Sequence, residues 1–225
     1  MNRNLWILPV IVLVAACRTA GAGGDAKPDH APAKAAAAAT PRAHVGTDPG
    51  GVGMGTPLAP RGSDQLAAFA GGCFWGVEDV FRQVPGVVAT AVGYTGGHTT
   101  NPSYEDVCTH TTGHAETVLV EFDPSKVSYD ALVNVFFKNH DPTTLNRQGP
   151  DFGDQYRSAI FTFNDDQDRA ARAAMAKEQT QRTKQIVTRV SRIAAFYKAE
   201  EYHQQYDEKT GTHSCPLPMG LPNGI

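Results

Sequence analysis

The 225-residue sequence predicts an α/β fold class, more closely an α+β two-layer domain in which helices pack on a mixed β-sheet. Three observations predict it. Apolar runs of strand length recur at 66–70, 87–92, 117–122 and 159–163. Between them lie segments whose apolar residues are spaced for a helix face. Turn residues, Gly71-Gly72, Pro85-Gly86 and Asp123-Pro124, stand where one pattern gives way to the next.

The elements follow in order. Leu66 to Ala70 is a short buried strand stopped by two glycines. Phe74, Val77, Phe81 and Val84 keep helical spacing until Pro85-Gly86 ends it, and 87–92 is a second strand. Strand, helix and strand in this succession predict a parallel right-handed βαβ unit. Residues 94–115 show no periodicity and are expected to be a long loop, a length usually reserved for function. In 117–122 the residues Val118, Val120 and Phe122 share one face. Ser128 is placed to cap a helix carrying Leu132, Val135 and Phe136. A second irregular stretch, 139–156, precedes the strand at 159–163. Asn164 with Gln167 predicts a capping box opening an Ala-rich helix to about Lys184. Residues 186–193 suit an edge strand, and a last helix is expected over 198–207 before an irregular Gly/Pro-rich C-terminal tail.

The N-terminus bounds the rest. Arg3 is followed by an apolar run over 5–14, shorter than the roughly 20 residues that span a bilayer. With Val14-Ala15-Ala16-Cys17 behind it, the run predicts a lipoprotein-type signal peptide (1–17) whose Cys17 is lipidated. An ordinary signal peptide cleaved near Ala20 or Ala22 is the alternative. Residues 18–62 are rich in Ala, Pro and Gly without apolar periodicity and are expected to be a disordered tether. The catalytic part is then 63–225, one domain. The protein is expected to be exported and held on the bacterial cell envelope by a lipid anchor, facing the periplasm. Arg18, not aspartate, follows Cys17, which favours the outer membrane. A net charge of −3 with no Lys/Arg cluster gives no reason to propose a nucleic-acid partner.

Setting Cys17 aside leaves Cys73, Cys108 and Cys215, an odd number for an exported chain, which points to reactivity rather than a disulfide framework. Cys73 would enter the first turn of its helix, where unpaired N–H groups and the dipole favour a thiolate, although Glu78 and Asp79 oppose it. Phe74 and Trp75 read as core aromatics or as an apolar cup beside the sulfur. Cys215, in a tail with little apolar periodicity, could meet an oxidised partner as a resolving cysteine does. Cys108 is expected to be a packed, inert thiol. His110 and His114 have the spacing of helical zinc ligands, but Gly113 and the threonines argue against a helix there, so no metal site is assigned. His140-Asp141-Pro142 and His203 suit turn or structural roles. Glu116, where loop meets strand, reads as a partly buried acid of raised pKa or as a solvated one.

Six segments then carry a resemblance. GGCFWGVE (71–78), VGYTGG (92–97), NPSYEDVC (101–108), TGHAE (112–116), NHDP (139–142) and RQGPDFGDQYRSAI (147–160) resemble, in order and spacing, peptide methionine sulfoxide reductase, type A. The likeness covers about 66–206, and GCFWG is highly specific. The fold expected with it is a ferredoxin-like plait. It implies that Cys73 attacks the sulfoxide sulfur, that Phe74 and Trp75 cradle the S-methyl group, and that Glu116 acts on the sulfoxide oxygen as acid. Tyr104 and Tyr156 would donate to the same oxygen, and Asp151 would position substrate. The reaction implied is thiol-dependent reduction of methionine-S-sulfoxide, free or in oxidised proteins, through a Cys73 sulfenic acid. Cys215 would resolve it, with Cys108 as the alternative, and a thioredoxin-type reductant would reopen the disulfide. No cofactor is implied, and a monomer is expected. Thr109-His110-Thr111 departs from the family's more usual Ser-Gly-x. Two other function classes are a cysteine hydrolase using Cys73 with His114 or His140 as base, and a lipoprotein binding metal through His110, His114 and a cysteine.

Overall fold

The first apolar run becomes β1 (Gln65–Gly71), buried at every position but its first. It is hydrogen-bonded on both edges, antiparallel to β3 (Ala115–Phe122) and to β6 (Ser158–Thr162). Beyond β3 lie β2 (Val87–Thr95) and then β8 (Phe196–Lys198), both antiparallel to their neighbours. Beyond β6 lies β7 (Arg189–Arg192), parallel to it and at the sheet edge, as 186–193 led us to expect. The mixed six-stranded sheet thus runs β7-β6-β1-β3-β2-β8. These positions come from a computed structural model that describes residues 45–53 and 57–212. The signal peptide, Cys17 and Cys215 lie outside the described residues.

The βαβ expectation needs a correction. β1 and β2 run parallel, joined by α1 (Phe74–Arg82), but β3 is inserted between them and pairs antiparallel with each. The unit is split. A second split unit, β3–α3–β6 with α3 (Tyr129–Lys138), has β1 inserted in the same way. As a consequence, β1 and β3 lie at the centre and are covered on both faces.

On one face α1, α3 and α4 (Asp165–Gln179) pack over Phe69, Val118, Val120, Phe122 and Ile160. Phe69, fully buried, stacks on Phe81 at 4.7 Å and meets Phe136 at 5.3 Å. Phe69→Ala belongs to the truncations that cost about 3–5 kcal/mol. The opposite face, with Leu66, Ala68, Ala91 and Leu119, is covered by Val52, Leu58, Phe163, Ile193 and Phe196. Val52 and Leu58 fall in the stretch expected to be a disordered tether, so that expectation is corrected over 45–53 and 57–62. Gly46 N–H donates to Val88 and its carbonyl accepts from Thr90, beside β2. Glu121, fully buried on this face, accepts from the Gly50 N–H at 2.9 Å and from the Arg61 N–H. The segment docks because a buried carboxylate needs donors, and this chain supplies them.

Three local readings also change. The expected loop over 94–115 contains α2 (Tyr104–Cys108), opened by a capping box in which Ser103 and Asp106 hydrogen-bond reciprocally. The stretch 139–156 contains a small hairpin of β4 (Arg147–Gln148) and β5 (Asp151–Phe152), followed by a 3₁₀ turn, Asp154–Tyr156. The last expected helix is instead β8, a 3₁₀ turn at Glu201–His203 and a short α5 (Tyr206–Thr210). Asn164 does cap α4, which ends at Gln179 short of Lys184, and Gln167 reaches back to the Phe163 N–H rather than completing the box on Asn164.

Candidate active site

The site begins where β1 meets α1. Gly72 has φ +104°, and a Cβ there would stand 2.5 Å from the Gln148 side chain, so both the turn and its neighbour require glycine. The turn leaves Cys73, half-exposed, as the N-cap residue of α1. Its sulfur therefore lies at the positive end of a helix dipole. The first N–H of that helix, on Phe74, donates to Oε2 of Glu116 at 3.1 Å.

Glu116 comes from β3, and both faces of β3 are covered, so its carboxyl is buried. Burial pushes its pKa up to about 8, against the Phe74 N–H, which favours the charged form, while Asp151 adds to the rise. At neutral pH this side chain is mostly a carboxylic acid. Tyr104, first residue of α2, and Tyr156, at the end of the 3₁₀ turn, both have phenols pushed well above the ordinary range, chiefly by burial. Glu116 and Cys73 bear electrostatically on both, and Asp151 and Tyr104 on Tyr156. Asp151 itself is raised by burial. Cys73, Tyr104, Glu116, Asp151 and Tyr156, drawn from five separate segments, are thereby brought to one place. It holds one thiol, two carboxyl groups and two phenols.

Phe74 is almost wholly buried, with Tyr94 at 5.9 Å and His203 at 5.2 Å, whereas Trp75 is half-exposed and stacks on Tyr206 at 3.9 Å. Cys108 is half-exposed rather than packed, and its side chain hydrogen-bonds the Tyr104 hydroxyl. The histidines proposed as hydrolase bases are committed elsewhere. His114 Nε2 pairs with the Thr99 carbonyl at 2.8 Å, and its Nδ1 accepts from the Gly97 N–H. His140, whose pKa burial lowers to about 4, pairs with the Phe136 carbonyl and Ser158. His110 binds Gln155, and no group of three or more His, Cys, Asp or Glu among the described residues could hold a metal ion.

Residues 200–206 were missed as site residues. Glu200 accepts from the Tyr104 N–H at 2.9 Å and the Tyr94 hydroxyl at 3.0 Å. His203 accepts from the Trp75 indole at 3.1 Å. Gln204 clamps the backbone of Val92, and Gln205 binds the buried Glu78. The sequence signal was the density of polar and aromatic side chains in a stretch that lacks apolar periodicity.

The chain is similar to known proteins along most of the described domain. The family model described as peptide methionine sulfoxide reductase matches residues 65–221. The MsrA of Methanothermobacter thermautotrophicus is 58% identical over 155 residues, 68% of this chain and 92% of that protein. That of Geobacter sulfurreducens is 56% identical over 153 residues, covering 67% and 94%. Among solved structures, methionine sulfoxide reductase A of Corynebacterium diphtheriae superimposes with a TM-score of 0.65 at 36% identity, covering 81% of this chain and 93% of that one. Reduced Mxr1 from Saccharomyces cerevisiae gives 0.66 at 37%, covering 68% and 90%. The family model spans every residue from Cys73 to Tyr206, and the chain belongs to the peptide methionine sulfoxide reductase A family, enzymes of thiol-dependent methionine sulfoxide reduction.

Proposed function

We propose that Cys73 attacks the sulfur of methionine-S-sulfoxide, free or in oxidised proteins, while Glu116 gives its proton to the departing oxygen. Tyr104 and Tyr156 donate to that oxygen as the S–O bond weakens, because oxide leaves a sulfur poorly until it is protonated. Phe74 floors the thioether methyl site, Trp75 walls it, and Asp151 positions the substrate. The oxygen passes to Cys73 as a sulfenic acid carrying the Glu116 proton, the thiol proton of Cys73 returns to the Glu116 carboxylate, and two electrons pass from the Cys73 sulfur to the product thioether. Cys215, outside the described residues, then displaces water from the sulfenic acid and forms a disulfide. A thioredoxin-type dithiol reduces that disulfide and restores both thiols.

The observation that carries this reading is the neutral, buried Glu116 carboxyl held by the N–H that follows Cys73. Mixing purified protein with the separated sulfoxide epimers and dithiothreitol tests it. Consumption of the S epimer alone is the expected result, and consumption of neither rules the mechanism out. We further propose that the chain is exported by its 1–17 signal and anchored through lipid on Cys17. Cys17→Ser should move the protein from the membrane fraction to the soluble one.

A further inference from the structure

His203 is 1% exposed, and its ring is packed among residues from both halves of the site: Phe74 at 5.2 Å, Trp75 at 5.5 Å and Tyr104 at 4.5 Å between centroids. An indole N–H only donates, so Nδ1 of His203, which receives it at 3.1 Å, must carry a lone pair. The proton is therefore on Nε2. That atom is buried, makes no hydrogen bond among the described residues, and has Glu200 Oε2 as its nearest charge at 3.9 Å. The other oxygen of Glu200 holds the backbone N–H of Tyr104. Trp75, His203, Glu200 and the start of α2 thus form one continuous chain of contacts. The segment that bears it is fixed by Gln204, which bonds both the N–H and the carbonyl of Val92. Tyr206 stacks on the indole within 10° of parallel.

We propose that His203 is a positioning residue for sulfoxide reduction: it locks the angle of the Trp75 indole relative to Tyr104, and so sets the distance between the methyl site and the oxygen donors. The proposal rests on Trp75 being the wall of that methyl site. A neutral imidazole suits the role, since an imidazolium has no lone pair for the indole, and burial lowers the His203 pKa to about 4.

The test compares His203→Phe, which keeps an aromatic ring and removes the acceptor, with His203→Asn, which keeps an acceptor at the δ position. Substrates are methionine sulfoxide and its S-ethyl homologue. The Phe variant should keep the wild-type circular dichroism and melting temperature. Its kcat/KM for the methyl substrate should drop about tenfold, equivalent to about 1.4 kcal/mol, with a reduced methyl-over-ethyl preference. The Asn variant should recover most of both. A Phe variant with wild-type kcat/KM and an unchanged methyl-to-ethyl ratio overturns the proposal. Should that variant fail to fold, ¹⁵N NMR of the wild-type histidines decides, and a proton found on Nδ1 of His203 overturns it. Trp75→Ala separates the two readings. If it leaves the methyl-to-ethyl ratio intact, the methyl-site assignment falls, whereas a silent His203→Phe beside an effective Trp75→Ala sinks the positioning role alone.

Discussion

Glu116, the second residue of β3, is buried, and the Phe74 N–H donates to its carboxyl. A carboxyl whose folded pKa is about 8 and whose ordinary value is 4.5 does not affect stability below pH 4.5, where folded and unfolded chains are both protonated. From there to about pH 8 the unfolded chain ionises freely and the folded one does not, so stability falls as pH rises. Glu116→Gln removes that titration and keeps an acceptor for Phe74. Its stability should match the wild type near pH 4 and exceed it by about 5 kcal/mol above pH 8, as measured by urea unfolding at both pH values. Activity moves the other way. Wild-type kcat/KM should decline above about pH 8 as the acid loses its proton. The Gln variant should be slower by about 10²–10³-fold at neutral pH and should lack that alkaline limb.

Among the elements, the β1–α1 turn and the docked stretch before β1 matter most. Gly72→Ala forces a Cβ into Gln148 at positive φ and should cost about 2 kcal/mol or more, with loss of activity because Cys73 shifts from the helix end. Residues 45–53 and 57–62 supply donors to Glu121 and apolar cover to Leu66 and Leu119. A chain beginning at Ser63 should be less stable by about 3 kcal/mol in urea unfolding, since a buried carboxylate loses its partners. Glu121→Leu should restore part of that loss in the shortened chain and none in the full one. This stretch was illegible in the sequence because Val52 and Leu58 stand isolated among Gly and Pro, and Glu121, which Gly50 and Arg61 bind, lies 71 and 60 residues further on. Helix α2 escaped because it is one short turn with only its cap as a signal, and β8 because its pairing with β2 is not a local property. Regular spacing did locate β1, α1, α3 and β6. Cys73 was legible from the glycines and the helix start, whereas Glu116, Tyr104 and Tyr156 needed a family resemblance. For His203 and Glu200 the density of polar and aromatic side chains marked the stretch but not their contacts, which exist only once 200–206 meets α1 and α2.

For the molecule as a whole, catalysis must be joined to recycling, and the choice of resolving cysteine decides how much of the site moves. Cys108 closes α2, whose first residue is Tyr104. The Tyr104 N–H is held by Glu200, its hydroxyl bonds Cys108, and Ser103 and Asp106 cap the helix. A disulfide demands Cα atoms within about 7 Å and directed Cβ vectors. Linking Cys73 to Cys108 would break the Tyr104–Cys108 hydrogen bond and disturb the oxygen site in every cycle. Cys215 lies beyond the described contacts of Trp75 and Tyr104, which come from His203, Glu200 and Tyr206 ahead of the left-handed Gly211 that ends α5. We therefore expect mass mapping after a single turnover without reductant to find Cys73 joined to Cys215. Cys215→Ser should release one methionine per enzyme and then stall with a thioredoxin-type protein, while dithiothreitol, which attacks the sulfenic acid directly, sustains turnover. A Cys73–Cys108 product would transfer the resolving role to α2 and require that Tyr104 leave the site between turnovers.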